Sequence, residues 1–161
     1  MSVFNRVFAA HTRAKAQLEQ EEAARAAAEK AATSEFVAAF MQQLEFVVVP
    51  IFGQFARDAE AHGFPARTEP AKDESNNLTY TLKFAVVAGS ALGEHPQNEC
   101  ACVVKAMVAD RRVELSSHFD KRPGRRVGSK SELFALPVVN AVVLERTLGE
   151  LLVSALESSV S

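Results

Sequence analysis

Two thiols close together, Cys100 and Cys102, with Glu94, His95 and Glu99 just before them, are the residues whose types first invite chemistry. A structural zinc site uses spacings such as C-x-x-C, with a second ligand pair elsewhere in the chain. Cys-Ala-Cys beside one loop histidine does not supply that set, so no metal and no cofactor is assigned. Residues i and i+2 of a strand point to the same side, and a disulfide between them would need strained geometry. Two free thiols are expected on the core face, where cysteine behaves as a small apolar side chain. That usage fits a reducing, cytoplasmic location. The other histidines, His11, His62 and His118, are scattered over helix, cap and strand. No serine sits in a nucleophile elbow, and no aspartate pairs with a histidine on spacing alone. The reading is non-enzymatic.

Charge is the second place to look. Arg111, Arg112, Lys121, Arg122, Arg125, Arg126 and Lys130 fall within twenty residues whose only acids are Glu114 and Asp120. That segment carries +5 in a protein of net charge -2, so the rest of the chain is -7. A basic hairpin of this kind could attract phosphates or an acidic partner. Nucleic-acid surfaces interleave aromatic residues for stacking, and here only Phe119 is nearby and it points inward. Nucleic-acid or anionic-surface binding through residues 111–130 is therefore the alternative to the main reading. Charges at a sheet edge also discourage aggregation.

Elements must position these residues, and the chain supplies them in a clear order. With 161 residues, 48% hydrophobic and 24% charged, the composition is that of a globular domain with some residues left over. Residues 1–32 are rich in Ala, Glu, Arg, Lys and Gln, contain no Gly or Pro, and read as an Ala- and charge-rich helical extension. Its apolar seam (Phe4, Val7, His11, Ala14, Leu18) fails after Leu18, so a solvated helix anchored by Val3, Phe4, Val7 and Phe8 is expected. The apolar run at its start is too short for a signal peptide. Its Arg and Ala content loosely resembles a transit peptide, but acids follow from Glu19.

Residues 33–161 read as a single α+β domain. Thr33-Ser34 is expected to break the helix and cap a second one, in which Phe36, Phe40, Leu44, Val47, Val48, Ile51 and Phe55 recur at helical spacing. A kink is expected near Phe46 to Pro50, and His62-Gly63 is expected to end the helix. Residues 36–56 are long enough for a membrane span, but Gln42, Gln43 and Glu45 lie mid-window. A central carboxylate costs about 2.5–3.5 kcal/mol on insertion scales, so no membrane span is assigned.

Pro65 to Asn77 is polar and reads as a loop with room for a short edge strand around Ala66 to Glu69. The period then switches to two. Leu78, Tyr80, Leu82, Phe84 and Val86 mark one strand, Glu99 to Ala109 a second, Arg112 to Phe119 a third and Arg126 to Leu136 a fourth. Asp110-Arg111 and Pro123-Gly124 are the expected turns. Asn140 is expected to cap a last helix, with Val139 and Leu144 as a hydrophobic staple. Ala141, Leu144, Leu148, Leu151, Leu152 and Ala155 form that helix's apolar stripe.

The expected architecture is an antiparallel four-stranded meander with the kinked core helix and the C-terminal helix packed on one face. Ala101, Val103 and Met107 are apolar on the open face of the sheet, and Phe46, Val49 and Phe52 exceed what one sheet needs. Such surplus points to a protein partner and to a homodimer. Small acidic α+β dimers that escort other proteins share this general build. The expected role is a cytoplasmic protein-interaction protein of adaptor or chaperone-like type.

Overall fold

No glycine or proline occurs before Pro50, so nothing in the first 49 residues forces a helix to stop. In the computed structural model, which describes residues 2–94, 96–119 and 127–160, one helix (α1) runs through Val3–Gln43. The expected break at Thr33-Ser34 is absent: Ser and Thr lower helix propensity by only a fraction of a kcal/mol, too little to end a helix by themselves. The cap is Ser2 instead, whose Oγ accepts the Asn5 backbone N–H at 3.2 Å. Packing divides the chain into two compact units, residues 1–36 and 37–161.

Within the second unit, α1 passes into a wide π turn at Leu44–Val48 and then into α2, Val49–Ala61. Val49 N–H donates to the carbonyl of Leu44, five residues back, where a regular helix would reach only four. The expected disturbance before Pro50 is thus a π turn. Proline has no N–H and crowds the carbonyl four residues behind it, so a wider turn there relieves both defects.

The extra residue also sets the phase of the core. Twelve positions separate Phe40 from Phe52. A regular α-helix would rotate one about 120° away from the other. Adding one residue to a turn removes about 100° of that drift. Phe40, Val48, Phe52 and Ala59 are accordingly all buried. Gly63, at φ 83°, ends α2 in the left-handed conformation. Phe64 N–H donates to Ala59 O and Gly63 N–H to Glu60 O, both at 2.9 Å, which closes the last turn.

The sheet has five strands, not four, in the order β1 (Ala66–Lys72), β2 (Leu78–Ala85), β3 (Glu99–Met107), β4 (Arg112–Phe119) and β5 (Val127–Phe134). Every neighbour pair is antiparallel. The additional strand is β1, which pairs over its full length from Ala66 opposite Phe84 to Lys72 opposite Leu78. Its Pro70 and its charges are tolerated because it lies at the edge. Asp73 builds the turn that follows. Its Oδ1 accepts the backbone N–H groups of Ser75 and Asn77 at 2.9 and 2.8 Å, and its Oδ2 lies 3.2 Å from Lys105 Nζ. The Asn77 N–H, with help from Lys105, holds this carboxyl below its ordinary value.

Between β3 and β4 the chain makes a short 3₁₀ turn, Val108–Asp110, and then places Arg111 at φ 50°. This replaces the expected two-residue Asp110-Arg111 turn. The expected Pro123-Gly124 turn lies outside the described residues.

Helix α3 spans Ala141–Val160, and Asn140 Oδ1 accepts the Val143 N–H at 3.1 Å as its cap. Val139 and Leu144, the expected staple pair, are both buried. Leu148, Leu151 and Ala155 continue the buried stripe, whereas Ala141 is exposed and Leu152 half-buried. Helix α2 lies over β1 and β2, and α3 over β3 and β4, all on one side. The α+β architecture, two helices against one face of an antiparallel meander, is therefore as expected.

Candidate functional site

The alternation of β3 places Cys100, Cys102, Val104 and Ala106 on the helix-covered face, fully buried. Neither cysteine is in a disulfide. Burial pushes the Cys102 thiol up to about 12 from an ordinary 9.0. The thiolate is the reactive form, so neither residue is placed as a nucleophile or ligand. Iodoacetamide at pH 8 is expected to leave both thiols unmodified in the native protein and to alkylate both in denaturant. Mass spectrometry reads the difference. Because the folded thiol ionises later than the unfolded one, this group leaves stability unchanged below pH 9 and lowers it as pH rises from 9 toward 12. Among the described residues, no three His, Cys, Asp or Glu side chains converge in a way that could hold a metal ion. His95 lies outside the described residues, and His118 sits on β4 opposite Ala101.

The open face of the sheet is less apolar than Ala101, Val103 and Met107 suggest by themselves. Ala101 is only 1% exposed, between Lys83 and His118 in register. Val103 lies between Thr81 and Ser116, and Met107 is opposite Arg112. Lys83 reaches Glu69 at 2.7 Å and Lys105 reaches Asp73 at 3.2 Å. Lysine stems and hydroxyls thus cover much of this face.

The basic segment is also spread out. Arg111 closes the turn before β4, and Arg112 begins the strand on its open-face side. Lys130 pairs with Ser117 near the strand's other end, and its Nζ lies 3.8 Å from Glu150 of α3, on the helical side. The five steps from Arg112 to Ser117 extend about 17 Å and the side chains leave opposite faces, so these described members do not form one patch. Lys121, Arg122, Arg125 and Arg126 lie outside the described residues. The cleft beside Lys130, about 350 Å³, also holds Glu132, Arg146, Thr147 and Glu150, a set whose charges cancel. Thr147 Oγ1 already donates to Val143 O at 2.9 Å.

Two helical surfaces of the second unit remain. Between α2 and α3 runs a groove made of two adjoining hollows of about 430 and 350 Å³ that share Phe55 and Asp58. Ile51, Leu148, Leu152 and Phe84 line it, with Asp58, Glu145 and His62 at its rim. Gln54 ties the rim together, donating to Asp58 Oδ1 and accepting from Arg57, each at 2.9 Å. An apolar side chain fits such a groove, which offers no nucleophile. The second surface is the outer side of the π turn. Phe46 is 67% exposed there, with Met41 at 46% and Val49 at 37%, and Ala38 and Gln42 alongside. Comparison with protein-family models, curated proteins and solved structures finds no match for the chain.

Of the three surplus residues singled out from the sequence, Phe46 and Val49 are at the surface and Phe52 is in the core. The π turn makes that division. It brings Phe52 into line with Phe40 and leaves Phe46 on the far side. Periodicity alone does not single out Met41 or the α2–α3 groove. Met41 lies off the buried stripe, and the groove depends on which strands each helix covers, which periodicity does not specify. The helix from Val3 to Ala61 includes an 18-residue window of mean hydropathy 1.6, long and apolar enough to cross a membrane by length and composition. Of that window, 22% is buried inside the protein.

Proposed function

We propose that this chain is a non-enzymatic protein-binding module of the adaptor or chaperone-like type, and that it works as a homodimer. The observation that carries this reading is the apolar strip beside the π turn. A phenylalanine two-thirds exposed, flanked by Met41 and Val49, is costly to leave in water. Burying it contributes about 1.5–3 kcal/mol.

The strip is also suited to meeting its own copy. A two-fold interface brings the same patch of each partner together. With the axis through Gln42 and the helices antiparallel, Phe46 of each copy lies over Ala38 of the other, since both are four residues from the axis. A large side chain then meets a small one, twice. The α2–α3 groove remains open in that arrangement for a further protein partner. Two cysteines outside any disulfide support a reducing compartment such as the cytoplasm.

Light scattering after size exclusion is expected to give a dimer mass at micromolar concentration. Phe46→Lys is expected to give a monomer with the same helical circular dichroism, because the side chain is two-thirds exposed within its own copy and lies outside the core. A wild-type monomer, or a dimer that Phe46→Lys leaves intact, would contradict the reading.

A further inference from the structure

We propose that residues 3–18 form a peripheral anchor that lies in the interface of an anionic lipid bilayer. Ser2 caps the helix immediately before this segment, so its first turn is formed as helix. That turn presents Val3, Phe4, Val7 and Phe8 to solvent, with Phe4 73% and Phe8 60% exposed. The two rings stack, 5.8 Å apart and 8° from parallel, into one apolar surface. Leu18, also exposed, continues the side marked by Phe4, Val7, His11 and Ala14.

Charge identifies the occupant. Residues 3–18 contain Arg6, Arg13 and Lys15 and no Asp or Glu. Arg6 and Arg13 are two turns apart on the side away from Val7 and Leu18, and Lys15 follows Phe8 by the same two turns. Two arginines opposite the aromatic and aliphatic side, with Lys15 beside Phe8 where its stem can reach up to the headgroups, are what an anionic headgroup layer attracts. Sixteen helical residues extend about 24 Å, short of a hydrocarbon core of about 30 Å, so the segment lies in the interface and does not cross it. A second copy is a poorer occupant. Parallel pairing would bring six bases together. Antiparallel pairing about His11 would set Phe4 over Leu18, but it would also set Val7 over Lys15 and give Phe8 no more than Ala14.

Sedimentation of the full-length chain with vesicles tests this. Vesicles of phosphatidylcholine with phosphatidylglycerol are expected to carry the protein down, and pure phosphatidylcholine vesicles to leave most of it in solution. Replacing Arg6, Arg13 and Lys15 together by alanine is expected to weaken binding on the order of a hundredfold, and added salt to weaken it as well. Phe4→Ser with Phe8→Ser is expected to abolish it. Phe46→Lys is expected to leave binding to anionic vesicles in place, weakened only by the loss of the second anchor, and still abolished by the two serine substitutions, so failure of the dimer reading and failure of this one are separable. Equal binding to neutral vesicles, or no binding to anionic ones, would overturn the proposal. So would self-association without lipid that the two serine substitutions remove.

Discussion

Replacing Phe52 by alanine is expected to cost about 3–5 kcal/mol of folding stability. Its side chain is completely buried, and its ring lies 5.9 Å from that of Tyr80. The loss has two parts: transfer of the ring atoms to water in the unfolded chain, and a cavity that neighbours on both layers cannot close. Those neighbours are fixed from two directions. Tyr80 is held by strand pairing on both sides, opposite Pro70 and Val104. The helix backbone at Phe52 is held by its place after the π turn. Total stabilities of domains this size are about 5–15 kcal/mol, so the variant is expected to be marginal at 37 °C. Urea unfolding followed by circular dichroism should show a lower midpoint with an unchanged slope. Val142, 70% exposed on α3, provides the contrast, and its replacement by alanine should stay within about 0.5 kcal/mol. A Phe52→Ala cost as small as that would mean that the α2–β2 contact is not the core.

What the sequence makes legible here follows from how local each feature's cause is. Strands β2, β3 and β4 are visible because each must bury one side, so Tyr80, Leu82 and Phe84, or Val113 and Leu115, alternate with polar residues. The Asn140 cap and the Gly63 terminus are visible because single side chains, or the lack of one, satisfy particular backbone groups. Strand β1 is nearly silent for the opposite reason. At an edge, with Pro70 and three charged residues, it is held by ladder bonds to β2 and little by its own apolar content. The continuity of α1 through Thr33-Ser34 is hidden in the sequence because capping residues are also tolerated inside helices. The interaction surfaces are hardest of all. Whether Phe46 faces the core or the solvent depends on one additional residue in one turn, and helical periodicity reads almost the same either way.

That additional residue can be tested directly, and its insertion and deletion are expected to have opposite consequences. With the π turn in place, Phe40 and Phe52 share a side although twelve positions separate them. Deleting Glu45 leaves eleven steps, which in a regular α-helix misalign the two by only about 20°. Pro50 would still disrupt such a helix, at about 3 kcal/mol, so the deletion should be combined with Pro50→Ala. The combined variant is expected to fold with a continuous helix and to keep most of the stability of Pro50→Ala alone. Inserting one alanine after Glu45 instead makes thirteen steps and adds about 100° to the mismatch. Phe52 and Ala59 then turn out of the core unless Phe40 does, and each large side chain lost costs about 1.5–3 kcal/mol. Thermal unfolding should therefore rank the combined deletion near Pro50→Ala and the insertion far below both. Equal destabilisation by deletion and insertion would show that the wide turn is not a phase correction. Pro50→Ala alone separates the two causes. If the core dictates the phase, its amide-exchange pattern through Leu44–Val48 should match the wild type. If the proline alone causes the turn, that pattern should become that of a regular helix, and Phe52 should lose its place against Tyr80.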